Sequence, residues 1–117
     1  MENDRPDNLI VNKTIELSLQ IIDFCDVLTA QNKKVVSNQL LRSGTSVGAN
    51  VWEAQSAESR ADFIHKMKIA AKEADESEYW LILCNKAKSY PTCPEILLEI
   101  KTIQKILSKI ISSSKNN

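Results

Sequence analysis

Hydrophobic residues recur along the chain at helical spacings, in four segments separated by short polar or proline-containing stretches. The segments run from about residue 8 to 30, 35 to 56, 59 to 89 and 94 to 111. Apolar positions three and four residues apart form one face in each segment, which is the pattern of an amphipathic helix. Four such helices with short connections predict an all-α fold, an antiparallel up-down-up-down four-helix bundle.

The second and third segments carry residues that the helical spacing of apolar positions does not explain. Gly44 and Gly48 lie in the second, and each costs roughly 1 kcal/mol of helix propensity relative to alanine. We therefore predict that a neighbouring helix packs closely there. Ser59 is placed to cap the third segment, which is apolar on several sides. The serine-rich tail at 112–117 is expected to fray.

Composition narrows the class of protein. The 117 residues fit a single domain, 1–117, and 15 basic residues balance 15 acidic ones, so no global field favours nucleic acid or membrane. Three cysteines without paired spacing argue against disulfides and fit a reducing cytoplasm. The amino terminus is polar and acidic, so we expect no signal peptide, and no apolar run approaches the ~20 residues of a membrane span.

A polar stripe on the second helix is the most unusual feature. It has two interpretations: a binding site between helices, or a hydrogen-bond network that fixes helix register, and the second is favoured. Its members, with two carboxylates on the third helix, are Gln39, Arg42, Ser46, Asn50, Glu53, Glu73 and Glu76.

Catalytic and metal-binding patterns are missing from the sequence. A di-metal bundle needs Glu-x-x-His on each of two helices, whereas the single histidine, His65, follows only Asp62 at that spacing. Ser43-Gly44-Thr45-Ser46 does not match a nucleophile elbow, and the two glycines do not form a phosphate loop. We predict no catalytic residue, no cofactor and no metal.

Two surfaces remain as candidates for contacts. Lys101, Lys105 and Lys109 form a row opposite the apolar face of the fourth helix, either a solvated face or a ridge that contacts phosphates. A second set is larger and more apolar than a monomeric bundle readily hides, so it predicts self-association. That set is Leu41, Trp52, Tyr79 and Trp80.

Three stretches of the middle of the chain resemble a known family. They are QLLRSGTSVGANVWEA at 39–54, RADFIHKM at 60–67 and KEADESEYWL at 72–81. They are similar to the core signature of four-helix bundle proteins related to the 23S rRNA intervening-sequence protein, also labelled S23 ribosomal proteins. Trp52, Ala54 and Ala71 depart from that pattern. The resemblance implies the same bundle, a homopentameric ring and a nucleic-acid role, and it carries over no catalytic residue.

Three functions follow, in order of preference. The first is a non-enzymatic oligomeric adaptor that binds RNA or DNA through a basic surface repeated around a ring. The alternative is a structural or protein-interaction module without affinity for nucleic acid. The third is a small-molecule enzyme that uses Glu53, Glu73 and Glu76, which the absence of motifs disfavours.

Overall fold

The computed structural model describes residues 8–115 and forms four α-helices within them. They are α1 (Leu9–Ala30), α2 (Lys34–Ala54), α3 (Arg60–Lys86) and α4 (Pro94–Lys115). Successive helices pack against each other, and α4 closes the arrangement against α1. This confirms the predicted all-α class and the up-down-up-down bundle. Within residues 8–115 no helix is long and apolar enough to cross a membrane.

The helices share one hydrophobic core, to which each contributes the apolar face predicted for it. Burial of a large aliphatic side chain contributes ~1.5–3 kcal/mol, so this core supplies most of the driving force for folding. The largest completely buried side chains are Leu17, Ile21, Leu28, Leu40, Met67, Leu81, Ile100, Ile103 and Leu107.

The close approach predicted around the two glycines occurs between α1 and α2. A Cβ atom on Gly44 would collide with the side chain of Ile21. One on Gly48 would lie 3.1 Å from the carbonyl oxygen of Thr14 and 3.2 Å from the hydroxyl of Ser18. Contact between the two backbones therefore offsets the propensity that the glycines cost.

The third helix begins as predicted and ends earlier than predicted. The Ser59 hydroxyl accepts a hydrogen bond from the Asp62 amide at 3.0 Å, which confirms the cap. The helix stops at Lys86, not at residue 89, because Ala87 is extended. The Cys93 amide then donates to the Asn85 side chain at 2.9 Å, and Tyr90 packs against the core. These contacts require the chain to leave the helix before Pro91.

The fourth helix runs further than predicted. The tail was expected to fray from residue 112, but helix continues to Lys115. Ile110 and Ile111 pack against the core, and the Ser114 hydroxyl donates to the Ile110 carbonyl at 2.8 Å. These contacts anchor the last turn despite its poor helix formers. Residues 116 and 117 lie outside the described part of the chain.

Candidate functional site

An arginine of α2 joins two carboxylates of α3 at the centre of the polar stripe. Arg42 Nη1 lies 3.2 Å from Glu73 Oε1, and Arg42 Nη2 bonds to Glu76 Oε2. The Trp80 indole N–H donates to the same Glu76 oxygen at 2.9 Å. The hydrogen bond from Arg42 has the largest effect in lowering the pKa of Glu76, and the bond from Trp80 adds to it. Glu76 and Glu73 in turn raise the pKa of Arg42. The arrangement is a compensated ion-pair cluster.

The rest of the stripe differs from the expected buried network. Asn50 donates to the Ser46 carbonyl of its own helix at 2.9 Å, so it does not link two helices. Gln39 is exposed, and Glu53 pairs with Lys66 at 2.9 Å on the surface. These residues lie at the outer edge of the α2–α3 contact, where water reaches them. The buried-network interpretation is therefore wrong for this half of the stripe.

The buried polar link between α2 and α3 is a pair of hydroxyls that the stripe did not include. Ser43 Oγ and Ser77 Oγ are 2.8 Å apart, and neither residue is exposed. Ser77 Oγ also lies 2.8 Å from the Glu73 carbonyl oxygen, and Ser43 Oγ lies 3.4 Å from the Leu40 carbonyl oxygen. Each hydroxyl has one proton, so the shorter of these bonds favours Ser77 as the donor to Glu73 and Ser43 as the donor of the pair. The signal was available in the sequence, since both serines occupy otherwise apolar faces.

Leu41 and Trp52 lie on the outer side of the α1–α2 contact. Leu41, Thr45, Gly48 and Trp52 form one ridge of α2, because they are separated by four, three and four residues, and Gly48 contacts α1. An adjacent ridge of α1 exposes further large apolar side chains. With the two from α2, this apolar face comprises Ile15, Leu19, Ile22, Leu41 and Trp52.

The other two predicted contact residues lie on α3 and differ from each other. Tyr79 is 55% exposed, and its ring meets the Trp80 ring edge-on at 5.2 Å between centroids. Trp80 is half-buried, packs against the core and donates to Glu76. The structure therefore leaves Tyr79 available for contacts and commits most of Trp80 to the bundle.

Lysines dominate the outer face of α3 and α4. Lys101, Lys105 and Lys109 are exposed, and none of them forms an ion pair within residues 8–115. Lys68 and Lys72 of α3 and Lys115 of α4 are exposed as well, and Lys115 lines a groove with Ala71, the neighbour of Lys72, whereas Lys109 lies on the side of α4 next to Leu9 of α1. Lys115 has the largest effect in lowering the pKa of Lys68, and the charge of Lys72 adds to it. We call these six lysines the basic face; the helical spacing in the sequence identified three of them, Lys101, Lys105 and Lys109.

A groove of about 420 Å³ separates α3 from α4 beside the basic face. Its lining includes Asp75, Gln104, Ser108, Ser112 and Lys115. The Gln104 amide donates to Asp75 at 3.0 Å and to Glu78 at 2.9 Å, which holds both carboxylates at the middle of the groove. The end of the groove near Lys115 is therefore cationic and lined by hydroxyls.

The histidine and the cysteines do not form a metal-binding cluster with the carboxylates among residues 8–115. No three side chains of His, Cys, Asp or Glu converge as metal ligands there, and His65 is exposed. Burial raises the pKa of the Cys84 thiol to about 11 and also raises that of Cys25. A thiol with a raised pKa carries little thiolate at neutral pH, so these two cysteines behave as core residues.

The fold and this site define a class: a four-helix bundle with an apolar face on one side and a basic face on another. The model of the family described as 23S rRNA-intervening sequence protein matches residues 6–109, and the chain belongs to that family. It is also similar to a crystal structure from Bacteroides thetaiotaomicron, of a protein with unknown function from the S23 ribosomal protein family. Identity is 43% and the TM-score 0.83, over 87% of this chain and 97% of that one. No curated protein matches the chain.

Proposed function

We propose that this protein is a non-enzymatic, oligomeric adaptor that binds nucleic acid through the basic face, in the reducing cytoplasm where its three thiols stay free. The observation that carries the proposal is the uncompensated charge of the lysine row. Lys101, Lys105 and Lys109 are exposed on α4, whereas Arg42 and Lys66 are each paired with carboxylates. Cations without partners in the fold are the ones available to phosphates.

The extent of the basic face supports the same conclusion. From Lys101 to Lys115 the helix rises ~21 Å, at ~1.5 Å per residue. This length covers about six phosphates of one strand in a duplex, spaced ~3.4 Å apart along the axis. Exposed Tyr79 lies beside the face and offers a ring on which a base can stack, as in sequence-tolerant binding of single strands.

Self-association supplies what one subunit lacks. Net charge is zero, and a few lysines per chain give weak affinity. A symmetric oligomer repeats the basic face, so weak contacts add as multivalent binding. The apolar face is the surface that supports assembly, since Trp52 and Leu41 remain 36% and 38% exposed in the isolated chain. The pentamer implied by the family resemblance is the expected state.

The test is a titration of labelled single-stranded RNA, single-stranded DNA and duplex DNA at low and near-physiological salt, followed by anisotropy. Subunit number is measured on the same sample by light scattering. The family name makes RNA the first probe. Binding should weaken steeply with salt, because each phosphate contact releases counterions, and should tolerate changes of sequence.

A matched pair of variants locates the site. Replacing Lys101, Lys105 and Lys109 by Gln should reduce the salt slope for a single strand by about 2, since each lost contact contributes ~0.7. The control replaces Lys33, Lys34 and Lys88 by Gln, outside the basic face, where the α1–α2 connection meets the residues after α3 and Lys33 Nζ lies 3.3 Å from Ser89 Oγ. Equal effects of the two variants would contradict the basic face as the site.

The apolar face favours the second candidate function, a protein-interaction module. An assembled protein that binds no nucleic acid at low salt would contradict the adaptor and make this module the preferred function. A monomer of 13.2 kDa would remove the oligomeric part of both functions.

A further inference from the structure

The antiparallel packing of α3 and α4 brings two like charges together at one end of the groove between them. Lys68 lies in the third turn of α3, and Lys115 is the last residue of α4. Lys115 lines this groove together with Ala71, which lies between Lys68 and Lys72 on α3, so the three lysines share one end of the groove. The charge of Lys115 lowers the pKa of Lys68. No carboxylate within residues 8–115 forms an ion pair with any of the three.

The position of Lys115 has a structural explanation that does not extend to Lys68. A cation in the last turn of a helix interacts favourably with the helix dipole, which accounts for Lys115 on α4. Lys68 gains nothing from this effect, because it lies well inside α3. A fold that needed only the capping charge would be better served by a neutral or acidic residue opposite Lys115.

The groove next to these lysines provides space and further donors. It measures about 420 Å³, within the range of ~300–1,000 Å³ that is common for small-ligand sites. Ser108 and Ser112 contribute hydroxyls to its lining. The two acidic neighbours, Asp75 and Glu78, accept from the Gln104 amide, which is ~16 Å along α4 from Lys115 at ~1.5 Å per residue. Asp75 is one turn from Lys72 on α3, and its bond to Gln104 holds its carboxylate toward the middle of the groove.

We propose that this end of the groove is a phosphate-binding site, in which Lys68, Lys72 and Lys115 hold two or three adjacent phosphates and the serine hydroxyls of α4 donate to their oxygens. In the adaptor these are consecutive phosphates of the nucleic-acid strand, so this part of the inference rests on the proposed function. A free polyphosphate presents the same chemistry. An anion bound here would neutralise three clustered ammonium groups. Its hydrogen bonds to them would be charge-assisted, and such bonds are about twice as strong as neutral ones.

The first arm of the test uses inorganic tripolyphosphate, which has neither base nor sugar. The full chain is titrated and followed by backbone amide NMR. Shifts should concentrate on residues lining the groove, from Ala71 to Asp75 and from Ser108 to Lys115. Lys68→Gln combined with Lys115→Gln should weaken binding at least tenfold. The matched control, Lys101→Gln with Lys105→Gln, removes the same charge from the same face and should leave tripolyphosphate binding within twofold.

The second arm measures single-stranded RNA with the same variants. RNA binding that both variants weaken supports a strand that crosses the groove and the lysine row. Tripolyphosphate binding without RNA binding keeps the site and overturns the adaptor. RNA binding that the Lys68 and Lys115 variant retains, with no groove shifts from tripolyphosphate, overturns the site and keeps the adaptor. Shifts spread evenly over all exposed lysines would also overturn it, because they indicate only general attraction of anions.

Discussion

The two flanks of α3, one facing α2 and the other facing α4, carry similar charged residues but differ in the side chains that surround them. Toward α2, Glu73 and Glu76 bind Arg42, and Lys66 binds Glu53. Toward α4, the charge of Lys115 lowers the pKa of Lys68, and the carboxylates of Asp75 and Glu78 accept hydrogen bonds from the neutral Gln104 amide. The charges of the first flank are compensated within the fold, whereas the lysines of the second have no carboxylate partner among residues 8–115. Compensation of charge, and not its presence, separates a structural cluster from a candidate binding surface.

The interiors of the two flanks differ in the same sense. The α2–α3 contact buries the hydroxyl pair of Ser43 and Ser77. The α3–α4 contact opens toward solvent into a groove in which Ser108 is exposed. One flank is therefore sensitive to the loss of a single oxygen atom, and the other is not.

The largest effect is expected from removing a hydroxyl on the buried flank. Ser77→Ala should lower the free energy of unfolding by about 1–3 kcal/mol, because the buried Ser43 hydroxyl is left with only its long bond to the Leu40 carbonyl, at 3.4 Å. Ser108→Ala is the matched change on the open flank and should stay within ~0.5 kcal/mol. Urea denaturation measures both.

The double variant checks the cause of that loss. Ser43→Ala combined with Ser77→Ala should recover part of the stability, since replacing both partners leaves no stranded donor. Equal denaturation midpoints for Ser77→Ala and Ser108→Ala would show that the two flanks do not differ in this way.

A smaller effect, of opposite sign on the two flanks, is expected from removing one charge. Arg42→Gln should lower the free energy of unfolding by no more than ~1 kcal/mol, as is usual for exposed ion pairs. Lys68→Gln should raise the thermal midpoint slightly, because it relieves repulsion and glutamine has a helix propensity close to that of lysine. Added salt should shrink both changes. A lower midpoint for both variants would contradict the assignment of like-charge repulsion to the α4 flank.

Much of the fold was predictable because the helical period is a local signal. The apolar faces, the cap at Ser59 and the close contact at Gly44 and Gly48 each follow from spacing or propensity within one segment. The early end of α3 was not predictable, because it depends on a hydrogen bond between Asn85 and Cys93 across the turn. The extension of α4 also depends on a tertiary contact, because Ile111 packs against the core only in the folded bundle.

The candidate sites were less predictable, since they depend on which helices become neighbours. The row of Lys101, Lys105 and Lys109 could be found on one helix. The pairing of Lys68 with Lys115 could not, because these residues are 47 positions apart and their meeting requires the antiparallel register of α3 and α4. Asn50 was expected to bond to another helix and instead bonds to its own, an alternative open to any Asn within a helix.

The smallest and most specific effect concerns two groups whose pKa values shift in the same direction for opposite reasons. Glu76 has a pKa lowered from the ordinary 4.5 by Arg42, because the cation favours the charged carboxylate. Lys68 has a pKa lowered from the ordinary 10.5 by Lys115, because the cation disfavours the charged ammonium. Glu76 thus adds stability that is present above its unfolded pKa and is lost as pH falls through the lower folded pKa. Lys68 carries a penalty in folding stability that is complete below its folded pKa and vanishes as pH rises past its unfolded pKa.

Side-chain carbon NMR should show that Arg42→Gln returns the pKa of Glu76 toward its ordinary value without changing that of Lys68. Lys115→Gln should do the reverse, and a variant that moves both values would mean that the two flanks of α3 are not electrostatically separate.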